Sequence, residues 1–183
     1  MAYNLTLFST AALIETPEAI VRLHRDYIRA GCTAVTTASF AVTRFYLDKI
    51  GQGARVEELA AHSVALARRA VAEESAVGRV LVVGSVPPLG ESYQASGIAP
   101  AAMEAQYTEL LRGLKGCDAY LCETFGTLDE GKLAASLCKR AHGASSRVWL
   151  SFTPRRATAS RREAAAAAAY YAAEQQCSTR AAI

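Results

Sequence analysis

The chain has 183 residues, 51% of them hydrophobic and 20% charged, a composition typical of one soluble globular domain with a sizeable core. The formal net charge of +3 is too small to indicate a nucleic-acid partner, and no segment approaches the roughly 18 consecutive apolar residues of a membrane span. The N-terminus lacks the features of a signal peptide and the five cysteines form no CxxC pair, so we expect reduced thiols and a cytoplasmic protein.

The first helix is predicted from the signals at its two ends. Thr16 suits the N-cap, Pro17 suits the first helical position, and Gly31 closes the helix. Its predicted core-facing stripe consists of Ile20, Leu23, Tyr27 and Ile28. A strand rich in β-branched residues is then predicted over residues 33–40.

The clearest strand of the chain is predicted over residues 79–86, after a helix over residues 55–74. Pro87 and Pro88 end this strand and open a loop that runs to Ala99. This length is unusual for a connection between a strand and a helix, so the loop is either functional or a mobile surface segment.

The segment from Gly116 to Gly126 is central to the interpretation. It contains a short apolar run bounded by turn signals and preceded by a helix that begins at Pro100, which predicts a buried strand of a parallel sheet. Glu123 and Thr124 stand at the carboxyl end of this strand, where parallel sheets and barrels bind their ligands. From the residue types alone, Glu123 contacts a ligand, caps the next helix or pairs with a lysine.

The last helix and the last strand follow this segment. Thr127 and Glu130 have the spacing of a capping box, which predicts a helix that ends at Gly143. Residues 147–153 are predicted to form the last strand, with Trp149 in the core.

Four predicted strands separated by helices indicate an α/β fold with a parallel sheet and right-handed crossovers. The absence of a G-x-G-x-x-G or P-loop pattern makes a nucleotide-binding fold less favoured. Polar residues end every predicted strand, which favours a (β/α) barrel, because the active site of such a barrel is built from the strand ends.

Six short motifs occur in order over residues 5–153: Leu7-Phe8-Ser9-Thr10-Ala11, Asp26-Tyr27-Ile28-Arg29-Ala30-Gly31, Thr37-Ala38-Ser39-Phe40, Val83-Gly84-Ser85-Val86 followed by Pro88, Glu123-Thr124, and Trp149-Leu150-Ser151-Phe152-Thr153. Their order and spacing resemble those of the homocysteine S-methyltransferase family. The branch that they resemble most uses S-methylmethionine or S-adenosylmethionine as the methyl donor.

The resemblance implies a (β/α)8 barrel that transfers a methyl group to homocysteine and forms methionine. It also implies a zinc ion held by three cysteine thiolates, which keeps the homocysteine thiol deprotonated and nucleophilic. It places Glu123 on the amino-acid part of homocysteine, where a carboxylate can accept charge-assisted hydrogen bonds from the ammonium group. Ser39 and Phe40 are the other substrate-binding candidates, and no residue is assigned a catalytic role.

The chain departs from the family pattern at both ends. The Asp-Gly-Gly segment of the family's first strand and the Cys-Cys pair near the end of its barrel have no counterpart here. Cys177 is similar in context to the first zinc ligand, but one thiolate cannot make a three-ligand site. We therefore expect the middle of the family domain with both ends missing, that is, an incomplete (β/α)8 TIM-type barrel with about four to five βα units, without bound zinc and inactive alone. Residues 1–183 would form this single partial domain, with a divergent Arg/Ala-rich segment over residues 154–183.

Two alternatives remain open at this point. The chain is a non-catalytic half-barrel remnant or gene fragment that self-associates through unpaired strand edges, or it is an open α/β module that binds another small ligand without a metal.

Four cysteines are interpreted as small core residues: Cys32, Cys117, Cys122 and Cys138. The three histidines are interpreted as surface or helix-end residues: His24, His62 and His142.

Overall fold

The computed structural model describes residues 9–153 of the chain. Within this range helices alternate with strands, and two short 3-10 turns lie between α3 and α4. The helices are α1 (Ser9–Glu15), α2 (Pro17–Arg29), α3 (Arg44–Leu47), α4 (Val56–Glu73), α5 (Pro100–Gly113) and α6 (Leu128–His142). The strands are β1 (Ala34–Thr36), β2 (Leu81–Val86), β3 (Ala119–Phe125) and β4 (Arg147–Phe152).

The strands form one parallel sheet in the order β1-β2-β3-β4. Val83 of β2 pairs with Thr36 of β1 on one side and with Ala119 of β3 on the other. Each pair of consecutive strands is joined through at least one helix, as parallel pairing requires. The carboxyl ends of all four strands therefore lie at the same edge of the sheet, and the predicted α/β fold with parallel strands is confirmed.

Most predicted elements agree with the structure to within a few residues, but β1 is shorter than predicted. The chain turns soon after Thr36, and the Val42 backbone N–H donates to the Ser39 carbonyl oxygen at 3.0 Å. The polar end of the predicted strand thus belongs to a turn beside the sheet. The sequence interpretation also did not include α1 or α3.

The hydrophobic core lies between the sheet and the layer of helices formed by α2, α4, α5 and α6. Complete burial of a leucine or phenylalanine side chain stabilises a fold by about 1.5–3 kcal/mol relative to its exposure. The largest fully buried side chains include two leucines of the N-terminal helices α1 and α3 and eight residues of α4, α5, β3 and nearby segments: Leu13, Leu47, Leu59, Leu89, Tyr107, Leu110, Leu111, Leu114, Tyr120 and Phe125. None of the helices between residues 9 and 153 is long and apolar enough to cross a membrane.

Helix α2 presents a different face to the core from the one that the sequence predicts. Ile20 and Ile28 are buried as expected, but Leu23 and Tyr27 are 50% and 59% exposed. The buried face instead includes Val21 and His24. The prediction that His24 is a surface residue is therefore wrong, because helix periodicity defines a stripe but not its rotation against α4.

Trp149 is 40% exposed, so its assignment to the core is wrong. It lies on β4, which pairs only with β3 among the described strands. Alternate residues of a strand point to opposite faces, and here Leu150 and Phe152 pack against the core while Trp149 points to the other face of the sheet.

The burial of His24 predicts a loss of stability on mild acidification. Burial lowers the pKa of His24, whose exposed fraction is 6%. Between its ordinary pKa of about 6.5 and its lower folded value, the unfolded chain binds more protons, so the free energy of unfolding falls as the pH falls through this range. We expect His24→Leu to reduce this dependence in urea titrations between about pH 7 and about pH 5.5. His62→Gln, which removes an exposed histidine, is the control, and an equal slope in His24→Leu and the native chain would contradict the prediction.

Candidate functional site

Glu123 lies at the carboxyl end of β3 and is half-buried. Its Oε1 atom accepts a hydrogen bond of 2.6 Å from the Ser85 hydroxyl of the neighbouring strand. Ser85 is buried, whereas the Glu123 carboxylate keeps partial access to solvent. The hydrogen bond therefore orients a carboxylate that remains able to accept further hydrogen bonds from a ligand.

Two hydrogen bonds connect Ser85 to residues just after β1, and a third joins those residues to each other. The Ser85 backbone N–H donates to Thr37 Oγ1 at 3.0 Å, and the Thr37 and Ser39 hydroxyls lie 2.8 Å apart. The Ser39 hydroxyl donates to the Ser85 carbonyl oxygen at 2.9 Å. This buried network joins the carboxyl ends of β1 and β2 and continues through the Ser85 hydroxyl to Glu123 on β3, so the three strand ends are held together by side chains as well as by the sheet.

The backbone at Glu123 is irregular. The pairing of β3 with β4 shifts register between Cys122 and Phe125, and Thr124 has a φ of 63°. A β-branched residue in the left-handed region is an outlier, and bulges of this kind re-aim side chains near functional sites. The Thr124 hydroxyl donates to the Glu123 carbonyl oxygen at 2.7 Å, so the Thr124 side chain stabilises the local backbone of this irregular segment.

The structure brings together two of the substrate-binding candidates. Ser39 is buried and is linked to Glu123 through Ser85, whereas Phe40 is half-buried and follows Ser39 in the chain. Their contact with a substrate stays a prediction. Thr37 and Ser85 also belong to this network, although in the sequence they stand out only as polar residues at predicted strand ends.

Glu130 has a different role from the predicted capping box. Thr127 occupies the N-cap of α6 but makes no side-chain capping hydrogen bond. The Glu130 side chain, 2% exposed, instead accepts hydrogen bonds of 2.9 Å from the Leu89 backbone N–H and from the Tyr107 hydroxyl. The prediction of a capping box is therefore wrong, because the Glu130 carboxylate points into the core, towards the loop after β2.

The loop between β2 and α5 also touches the end of β3. A Cβ atom added at Gly126 would lie 2.6 Å from the backbone nitrogen of Gln94, so only glycine permits this close approach. The loop therefore starts at Pro87, close to Ser85, and its middle part contacts Gly126, close to Glu123. The loop is thus packed against the end of β3 at Gly126, and its functional role stays a prediction.

The described cysteines do not form a metal site. Cys122 and Cys138 lie with their sulfur atoms 3.8 Å apart between β3 and α6, and contact with Cys138, together with burial, raises the pKa of the Cys122 thiol. Cys32 and Cys117 precede β1 and β3 at the opposite edge of the sheet from Glu123, and burial raises the pKa of Cys117 to about 12. Within residues 9–153 no three histidine, cysteine, aspartate or glutamate side chains are placed to hold a metal ion. Cys177, the predicted zinc ligand, lies outside the described residues.

Comparison with protein families gives a match to the homocysteine S-methyltransferase model over residues 2–182. The chain belongs to this family. It is 34% identical over 165 residues to the homocysteine S-methyltransferase of Escherichia coli (strain K12), a match that covers 82% of this chain and 52% of that protein. It is also 30% identical over 168 residues to the homocysteine S-methyltransferase YbgG of Bacillus subtilis (strain 168), again with coverage of 82% and 52%. The chain thus spans about half the length of these relatives.

The structural comparisons agree. The metallated form of the E. coli homocysteine methyltransferase MmuM superposes with a TM-score of 0.72 at 32% identity, over 85% of this chain and 58% of that one. The apo form gives a TM-score of 0.61 at 33% identity, over 80% and 53%. The four parallel strands therefore belong to the TIM-barrel fold of these methyltransferases, which confirms the predicted fold class.

Proposed function

We propose that the carboxyl ends of β1, β2 and β3 form the part of a homocysteine S-methyltransferase site that binds the amino-acid portion of homocysteine. The observation that carries the proposal is the half-buried Glu123 carboxylate, oriented by the 2.6 Å hydrogen bond from Ser85 at the ligand-binding edge of the sheet. Its free lone pairs would accept hydrogen bonds from the substrate ammonium group. Ser39 supports this arrangement through its hydrogen bond to the Ser85 carbonyl oxygen, and Phe40 follows Ser39 in the turn after β1.

The reaction that we assign to this site is methyl transfer from S-methylmethionine or S-adenosylmethionine to the thiol sulfur of homocysteine, which yields methionine. A zinc ion in such a site would keep the homocysteine thiol in its thiolate form. Glu123 would fix the opposite end of the small substrate, so that the sulfur atom is presented in one orientation.

The cysteines of this chain do not fit a three-thiolate zinc site at the strand ends. Four of the five are placed by the structure: Cys32 and Cys117 at the other edge of the sheet, and Cys122 and Cys138 under α6. Only Cys177 is left to approach Glu123, and one thiolate is too few. We therefore propose that the chain by itself contributes the substrate-binding half of the site and does not complete the reaction.

This proposal predicts the outcome of a direct assay. The purified 183-residue chain, given zinc, L-homocysteine and either methyl donor, is expected to form no methionine above the uncatalysed background. Metal analysis of the purified chain is expected to find zinc far below stoichiometric amounts, because no thiolate triad can form. Stoichiometric zinc together with methionine formation, both abolished in Cys177→Ser, would overturn the proposal that the chain is incomplete alone.

A further inference from the structure

Glu130 is a buried carboxylate for which a helix-capping role has been excluded. A charged side chain that is 2% exposed is costly unless hydrogen bonds compensate for the loss of hydration. Oε1 of Glu130 accepts both available hydrogen bonds, and Oε2 is buried without a partner among the described residues. The position of Glu130 in the first turn of α6 offsets part of this cost through the helix dipole. The desolvation cost that remains suggests that Glu130 has a role beyond packing.

The segment that Glu130 holds begins directly after the end of β2. Pro87 and Pro88 have no backbone N–H, so the amide of Leu89 is the first after Val86 that can donate a hydrogen bond. That amide donates to Glu130 at 2.9 Å. Glu130 therefore accepts the first backbone N–H of the loop, four residues after Ser85.

Tyr107 of α5 strengthens the same anchor. Its buried hydroxyl donates to Glu130 at 2.9 Å and lies 3.2 Å from the Pro87 carbonyl oxygen. Burial and the adjacent Glu130 carboxylate raise the pKa of Tyr107 far above its usual range, so the phenol stays protonated and remains a donor. One carboxylate thus connects α5, α6 and the chain that leaves β2.

The other end of the loop returns to β3. Gly126, four residues before Glu130 and three after Glu123, is in close contact with the backbone of Tyr93 and Gln94. The loop that Glu130 anchors therefore extends from Ser85, the residue that orients Glu123, to the segment just after Glu123 itself. A displacement of the loop at Pro87 would move Ser85, and a displacement at Gly126 would move Glu123. These two residues form the hydrogen bond at the proposed site.

We propose that Glu130 is a positioning residue, whose carboxylate fixes the start of the loop over residues 87–99 and thereby holds Ser85 and Glu123 in the geometry that binds homocysteine. Glu130 itself is too deeply buried to touch a ligand. The inference rests on the proposed function of Glu123 for the nature of the ligand, but not for the anchoring of the loop.

Three variants of the full chain test this inference. Glu130→Leu has a similar volume and removes the acceptor, so the Leu89 N–H and the Tyr107 hydroxyl lose their partner. Glu130→Gln keeps a carbonyl oxygen as acceptor and is the conservative rescue. Tyr107→Phe removes one donor and leaves the Leu89 hydrogen bond intact, which provides a milder variant if Glu130→Leu does not fold.

Amide hydrogen exchange and NMR chemical shifts measure the anchoring without any ligand. In Glu130→Leu we expect the protection of the Leu89 amide to fall by about tenfold, as for a lost hydrogen bond to a charged group. If Glu130→Leu does not fold, Tyr107→Phe, which keeps the Leu89 hydrogen bond but removes a second donor from its acceptor, is expected to lower this protection by about twofold. Signals of Ser85 and Glu123 should shift, while amides of α2 keep their protection. Unchanged Leu89 protection, or an equal loss throughout the fold, would overturn the positioning role.

Titration with L-homocysteine measures the consequence for binding. We expect the affinity to fall by about tenfold in Glu130→Leu and to recover in Glu130→Gln. If Leu89 loses protection but homocysteine binds as to the native chain, Glu130 is structural only and the inference is wrong. If the native chain does not bind homocysteine, the proposed function fails, while the exchange of Leu89 still decides whether Glu130 anchors the loop.

Discussion

Replacement of Glu123 with alanine is expected to weaken the binding of L-homocysteine by about 10- to 100-fold, the usual effect of losing hydrogen bonds between a charged donor and a charged acceptor. The variant removes the only group at this strand end that we assign to the substrate ammonium. It also leaves the Ser85 hydroxyl without its acceptor, because that hydroxyl donates to Glu123 at 2.6 Å in the native chain. Isothermal titration calorimetry or NMR titration under reducing conditions would measure the change.

Two further variants separate the charge of Glu123 from its place in the fold. Glu123→Gln keeps an oxygen that can accept the Ser85 hydrogen bond and removes the negative charge, so we expect most of the affinity loss with little change in stability. Glu15→Gln removes a carboxylate at the exposed end of α1 and is expected to bind homocysteine as the native chain does. Native affinity in Glu123→Ala would refute the assignment of Glu123.

The parts of the fold that could be predicted are those with local signals. Helix α2 has Pro17 at its start and Gly31 just after its end, and β2 is an apolar run that ends before two prolines. Such signals act within a few residues of the chain, so they are visible without knowledge of the tertiary structure. The same reasoning found the strand that carries Glu123 and the edge of the sheet at which it lies.

The parts that could not be predicted depend on partners that are distant in sequence. Thr127 and Glu130 have the spacing of a capping box, but Leu89 and Tyr107 compete for the same carboxylate from 41 and 23 residues away. Ser85, 38 residues from Glu123, was visible only as a polar strand end. The local sequence pattern predicts where these residues lie along their helices and strands. Tertiary packing determines which of them form hydrogen bonds with each other.

The sequence also does not predict which face of a helix or of an edge strand is buried. A stripe of apolar residues on α2 does not say which side faces α4, and the side that does so buries His24 and leaves Tyr27 exposed. Trp149 is a large apolar residue of the kind usually found in a core, but it lies on the exposed face of β4. The resemblance to a family supplied the fold class, yet it did not supply either of these contacts.

Gly113, the last residue of α5, lies in close contact with α4. A Cβ atom at this position would lie 2.4 Å from the Glu57 carbonyl oxygen and 2.6 Å from the Ala60 Cβ atom. Both neighbours belong to α4, and one is backbone, so the new atom can be accommodated only if the two helices separate. Because α4 and α5 pack against each other beside the core, such a separation opens the core around buried Leu59.

We therefore expect Gly113→Ala to lower the free energy of unfolding by about 2–3 kcal/mol, the upper range for overpacking a core, despite the better helix propensity of alanine. Gly131→Ala is the matched control, since it also places a methyl group on a helical glycine. There the nearest atom is the half-buried Phe152 ring on β4, at 2.8 Å. A side chain at the edge of the sheet can move aside, so this control should change stability by less than about 1 kcal/mol. Urea denaturation of both variants measures the difference, and equal effects would show that α4 and α5 adjust as readily as a single ring.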